Sequence, residues 1–291
     1  MFFRKRHRQL KKNVVVFTIH KAGSMVLHRV LKDICDSNNI RYHSENQPPP
    51  DKLPVRKIFA GKDYVAKHNG CFGPIRFFLP SRALADANVV VHLRDPRDVL
   101  TSMFFSYCFM HRGPVEKNTG MRREVAEAGI DQYVLEMSSG AFTRYEGDYG
   151  TGGNYKEYIG HMVERYLRYL REVIGLQNTV LISYEEMVLD FPSWLRKLLR
   201  PFQLENTEHT YEFVSARHAA TVQPEAEDIS SHKRKVTPGD YKQKLKPETI
   251  AELNRRFRVV LDELGYSSDE YIKTGIPRLS LFVRRRVSQS S

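Results

Sequence analysis

Lys21 stands in a short turn, His20-Lys21-Ala22-Gly23-Ser24, between two contrasting patterns. Before it runs Asn13 to Ile19 (NVVVFTI), a β-branched stretch of the kind buried in a parallel sheet. After it, Met25, Leu27, Val30, Leu31 and Ile34 recur at helical spacing. A tight strand-to-helix turn aims several backbone N–H groups at one point, and the helix dipole adds positive potential there. An ammonium beside that point suits a phosphate chain. The second Gly-Lys-Ser/Thr element of the nucleotide-triphosphatase loop is missing. On this stretch alone, an ordinary βα turn with a surface lysine stays open.

A second chemical stretch is Val89 to Tyr107, VVVHLRDPRDVLTSMFFSY. Arg94 leaves the C-terminal end of an apolar run, the edge where ligands bind in open α/β sheets. Ser102 follows on a helical pattern and can reach back over the same loop. A guanidinium and a hydroxyl converging there suit a phosphate monoester, which rewards bidentate donation. Asp95 and Asp98 offer a structural alternative, pairing with Arg94 and Arg97 to brace the turn, a reading that suits Arg97 and Asp98 best. The third stretch is Lys233-Arg234-Lys235 followed by Gly239-Asp240-Tyr241. A cationic cluster on a loop is usually just solvated, so it gains weight only beside the other two.

These residues need a scaffold, and the remaining pattern supplies one. Ala87 to Leu93 and Thr179 to Ser183 read as further strands, and Asp63 to His68 as another, stopped by Asn69-Gly70. Helices are expected at Val99 to Met110, Tyr155 to Ile174, from Phe191 on through Trp194 and Leu198, at Glu208 to Ala220, and at Pro247 to Leu264 before Gly265. Residues 111–153, rich in glycine and charge, read as a loop-rich insertion, a lid or acceptor-binding element. Strands alternating with helices imply an α/β fold. The expected form is a single domain over 13–276, with a central, mainly parallel sheet flanked by helices.

Composition narrows the function. Hydrophobic residues make up 41% and aromatics 11%, which suits a globular enzyme with a real core. The formal charge is +12, but residues 1–12 hold six basic side chains and 277–291 hold four, with no acid in either tail. Little net charge is left for the body, which argues against a nucleic-acid groove across the fold. No apolar run approaches a membrane span, and the start is too charged for a secretory signal. Cys35, Cys71 and Cys108 are scattered, with no metal-ligand spacing. They fit a reducing compartment, so the expected location is cytoplasmic.

Taken together, the chemical stretches resemble the sulfotransferases that use 3'-phosphoadenosine 5'-phosphosulfate (PAPS). HKAGSM resembles the family's 5'-phosphosulfate loop, and LRDPRDVLTS its 3'-phosphate block. SYEEM at 183–187 is similar to the family's Tyr-Glu-Asp-Met, and HKRKVTPGDY to its late Arg-Lys-Gly element. The resemblance runs from about Asn13 to Tyr266 and implies a P-loop-like sulfotransferase fold. By the same resemblance, Lys21, Ala22, Gly23, Ser24 and Met25 cradle the 5'-phosphosulfate. Arg94 and Ser102 hold the 3'-phosphate, with Arg234 and Lys235 closing on it. Tyr184 lies near the adenine, and Ser215 and Arg217 line its other side. The chain departs from the family at Met25 and Val26, at Val236 where a glycine is usual, and at Tyr241 for tryptophan.

Sulfuryl transfer is an in-line displacement, so the protein must position, neutralise charge and deprotonate the acceptor. Lys21 suits the departing bridging oxygen. His68 is the expected base, because the family often carries Lys-x-His at a strand end and this chain has Lys67-His68. A structural histidine is the alternative there, with Glu45, His20 and His111 as substitutes. The expected product nucleotide is adenosine 3',5'-bisphosphate (PAP). The acceptor is a hydroxyl or amine, expected on a small molecule; no metal is called for. The rival readings are a P-loop kinase or nucleotide hydrolase, and an inactive nucleotide-binding module. The family's dimer motif is not matched, which leaves the oligomeric state open.

Overall fold

The computed structural model describes residues 7–44, 64–76, 84–110, 119–139, 162–220 and 237–278. They group into two compact units: Met1–Leu93 with Glu172–Val222, and Arg94–Arg171 with Gln223–Ser291.

The first unit is built on a five-stranded, all-parallel sheet. Its strands are β1 (Val14–Thr18), β2 (Tyr42–His43), β3 (Cys71–Ile75), β4 (Asn88–Leu93) and β5 (Thr179–Ser183), in the order β2-β3-β1-β4-β5. Every residue of β1 and β3 is buried, as expected for strands with both faces covered. Helix α1 (Ser24–Ser37) lays Leu27, Val30, Leu31 and Ile34 against Val14, Val16 and Val90. Trp194, Leu195, Leu198 and Leu199 of a later helix, Phe191–Leu199, join the same core. Fully burying each such side chain is worth roughly 1.5–3 kcal/mol before conformational entropy is counted.

Register places the chemistry. Thr18 pairs with His92, Leu93 with Ser183, and Phe17 with Ile75, so the strands end level. The residues that follow β1, β3, β4 and β5 are Ile19-His20-Lys21, Arg76, Arg94 and Tyr184.

One expected strand is corrected. Within the expected Asp63 to His68, Tyr64–Lys67 is a helical turn, α2, and the strand is β3, just beyond it; Asp63 lies outside the described residues. Gly73 inside β3 follows from crowding. A Cβ there would sit 2.5 Å from the Val16 carbonyl oxygen, at a φ of +136°.

The second unit is helical among its described residues. It opens with α3 (Pro96–Phe105), capped by Asp95, whose carboxylate accepts the Arg97 N–H at 2.9 Å. A π-helical turn, Ser106–Met110, continues it. The expected loop-rich insertion is corrected too: Thr119–Ala128 and Ile130–Ser139 are helices, while 111–118 and 140–161 lie outside the described residues. The expected helix at 247–264 is two, Pro247–Arg256 and Arg258–Glu263, broken at Phe257. Among the described residues, no helix is long and apolar enough to cross a membrane.

Candidate active site

The turn after β1 is the centre of the first unit's chemistry. Lys21 has φ 64° and Gly23 φ 71°, both left-handed, and Ala22 between them is fully buried. This folds the chain sharply into α1, where the Gly23 carbonyl accepts from Val26 at 2.9 Å and Leu27 at 3.1 Å. Gly23 has no side chain to cap the helix, and no acid sits in the first turn. The turn is thus shaped for an outside anion at a helix N-terminus. Gly23 is also fixed from behind: a Cβ there would lie 2.7 Å from Met187 Cε and 3.0 Å from Tyr184 Cδ2. Tyr184, buried at the end of β5, is therefore the wall of the turn.

Sequence reasoning missed Arg76. It follows β3 directly, and its Nε donates to Ser24 Oγ at 3.1 Å. A second cation thereby joins Lys21 at the same sheet edge. Next to it, His28 lies one turn beyond Ser24, with Nδ1 at 2.8 Å from the Tyr42 hydroxyl and 3.0 Å from Ser44 Oγ. Burial first, then the charges of Arg76 and Lys32, pushes the His28 pKa down. A neutral imidazole can pack beside a guanidinium without adding repulsion. The signal that could have found Arg76 was β3 itself, hidden because CFGPI reads as punctuation.

In the second unit the two acids of the RDPRD turn pair with its two arginines, the structural alternative that the sequence offered. Arg97 pairs with Asp95, at 2.9 Å from Nε and 2.6 Å from Nη2. It also donates to Asn254 Oδ1 and the Tyr266 carbonyl, and Tyr271 donates to Asp95 at 2.8 Å. Asp98 instead faces Arg94 at 3.6 Å, and accepts from the backbone N–H groups of Gly239 at 2.6 Å and Tyr241 at 3.0 Å. Burial pushes the Asp98 carboxyl up, against the pull of Arg94. Tyr166 donates to the Arg94 carbonyl, fixing the backbone from which that side chain leaves. Ser102 lies one turn beyond Asp98 on α3, on the same face.

Other expected site residues fall elsewhere. His68 precedes β3, and its carbonyl accepts from Asn13 Nδ2 at 2.9 Å at the N-terminal edge of the sheet. That edge lies one strand length from Arg76, about 16 Å at ~3.3 Å per residue. The structure does not bring His68 to Lys21 and Ser24. Arg217 is held by Asp33 at 3.0 Å, nine residues along α1 from Ser24, or roughly 13 Å. Ser215 is on the same helix, Thr207–Ala219, with its Oγ buried and unpartnered. Met25 is 64% exposed at the helix start. Arg234, Lys235, Glu45 and His111 lie outside the described residues.

A parallel sheet with its first βα turn shaped for an anion, and cations at the strand ends, fits several nucleotide-binding families. The choice among them comes from comparison. The profile of the sulfotransferase domain matches residues 11–265, across both units. The chain belongs to the sulfotransferase family. Among solved structures, it is similar to mouse sulfotransferase SULT7A1 complexed with PAP, at 13% identity and a TM-score of 0.53. That likeness covers 92% of this chain and 89% of the other. It is also similar to retinol dehydratase in complex with androsterone and the inactive cofactor PAP, at 15% identity and a TM-score of 0.50, covering 86% and 81%. At such identities the likeness shows the fold. No curated protein matches the chain.

Proposed function

We propose that this sulfotransferase moves a sulfuryl group from PAPS to a hydroxyl or amine of a small-molecule acceptor. The observation that carries the reading is the left-handed Lys21–Gly23 turn into α1, with Arg76 on Ser24. In this reading the α1 N–H groups, Lys21 and Arg76 take the 5'-phosphosulfate, and Ser24 and Ala22 line it. Arg94, Ser102, Arg234 and Lys235 take the 3'-phosphate, and Tyr184 lies at the adenine. Support also comes from the two solved relatives, both bound to PAP.

The chemistry asked of these residues is modest. The acceptor oxygen or nitrogen forms a bond to sulfur as the bond from sulfur to the phosphate oxygen breaks. The electron pair stays on that oxygen, which leaves with PAP. Lys21 stabilises the charge growing there, and Arg76 neutralises the non-bridging oxygens. The acceptor proton passes to a base, and we assign that role to His20, which adjoins Lys21 on the turn. The test is to incubate the full chain with PAPS and a panel of alcohols, phenols and amines, detecting both sulfated product and PAP by mass. PAP released with product supports the reading. PAPS bound without turnover points to a binding module, and turnover of ATP instead points to a kinase.

A further inference from the structure

The second unit holds a cleft of about 600 Å³ that the sulfuryl-transfer reading does not use. The nearly buried Tyr241, Tyr266, Tyr271 and Leu261 back it, and the largely exposed Ile272 and half-buried Ile250 supply its apolar surface. The Arg97 guanidinium, 4.4 Å from the Tyr241 ring centroid, forms part of the floor. Volumes of this order hold small organic ligands.

Charge selects further. The cleft is lined by Arg97, Lys242, Arg255 and Arg258 against a single acid, Asp262. Arg97 is answered by Asp95, Arg255 by Glu252 at 2.7 Å, and Asp262 is bonded by Ser267 at 2.6 Å. Lys242 and Arg258 have no carboxylate partner among the described residues. The Lys242 ammonium lies 5.9 Å from the Tyr241 ring and 5.8 Å from the Tyr271 ring. Burial pushes the Tyr241 phenol up, so it remains neutral at ordinary pH. Exposed isoleucines beside two cations without a carboxylate partner among the described residues match a ligand with an apolar ring and one negative group.

We infer that this cleft is a binding site for a small aromatic anion, such as an aryl sulfate or aryl carboxylate, held by Arg258 and Lys242 with its ring against Ile250 and Ile272.

The probe is 2-naphthyl sulfate, titrated calorimetrically into the full chain, with neutral 2-naphthol for comparison. One site is expected, at least about tenfold weaker for 2-naphthol. Arg258→Glu and Lys242→Glu should each weaken the sulfate by about tenfold. Lys273→Glu, exposed on the helix of Tyr271 and Ile272 but not among the residues that line the cleft, should leave it unchanged. All three side chains are exposed, so thermal unfolding should match the wild type. Three results overturn the inference: no binding of the sulfate at millimolar concentration; binding that survives both cleft reversals, which would put the ligand elsewhere; or an equal loss in Lys273→Glu, which would reduce the effect to overall charge. Because binding is read directly, the outcome stands whether or not the chain turns over PAPS.

Discussion

Asp98 lies 3.6 Å from the Arg94 guanidinium while accepting the backbone N–H groups of Gly239 and Tyr241. One buried carboxylate thereby aims an arginine and anchors a chain segment some 140 residues away. Asp98→Asn keeps the shape but removes the charge, leaving Arg94 buried with a weaker partner. Taking one member from a buried pair costs about 3–5 kcal/mol. The expected result is a lower urea midpoint and reduced preference for PAP over adenosine 5'-monophosphate. An unchanged preference would separate Asp98 from nucleotide recognition.

Arg76 and Arg94 are assigned to opposite ends of the nucleotide, which allows a crossed test. Arg76→Ala should weaken adenosine 5'-monophosphate by about 10–100-fold and spare the 3'-monophosphate. Arg94→Ala should do the reverse, each losing one charge-assisted contact. Titration of both nucleotides against both variants reads the result. Equal losses across the four pairs would mean that neither arginine discriminates.

For the base, location decides between two histidines. His68→Ala should leave turnover near wild type, since its backbone is tied to Asn13 at the far edge of the sheet. His20→Ala should lower kcat by about 10²–10⁴-fold with little change in PAP affinity. If turnover in His20→Ala stays near wild type, the base lies elsewhere.

His92, fully buried in β4 against Trp194 and beside the Ser183 backbone, has neither ring nitrogen in good hydrogen-bond geometry among the described residues. Burial pushes its pKa down to about 3. A histidine with a depressed folded pKa is protonated more readily when unfolded, so stability is lost as pH falls below the ordinary value near 6.5. Between pH 7 and pH 5 this one group should remove about 2 kcal/mol. Urea unfolding of His92→Leu should show a shallower acid slope than the wild type. An identical slope would shift the acid sensitivity to His43, whose pKa burial also lowers, to about 4.

What the sequence made legible was whatever repeats a simple pattern. The β-branched runs of β1, β4 and β5 announce themselves, and so do the Lys21 turn and the Asp190-Phe191-Pro192 helix start. In that start, Asp190 Oδ1 accepts the Ser193 N–H at 3.2 Å. The misses have separate causes. Gly73 and Pro74 sit inside β3, where the close Val16 carbonyl demands glycine. A strand carrying both residues has no simple pattern, so the expected strand falls upstream at Asp63 to His68 and Arg76 stays hidden. The helices from Thr119 to Ser139 were read as loop because a glycine-rich, charged composition masked a face carrying Val125, Val134 and Met137. Which acid in Arg94-Asp95-Pro96-Arg97-Asp98 takes which arginine was out of reach, because it depends on partners as distant as Tyr271 and Tyr241.

Arg97 belongs to two neighbourhoods at once. It stands three residues from Arg94 on a turn whose two carboxylates divide the work between them, and it also forms part of the floor of the tyrosine cleft. A ligand settling on that floor would touch the turn from which Arg94 leaves. Any change it made in the affinity for a nucleotide held by Arg94 would be returned in full by that nucleotide, since a coupling free energy has no direction. Measuring either affinity with the other ligand present gives the size of the coupling and its sign.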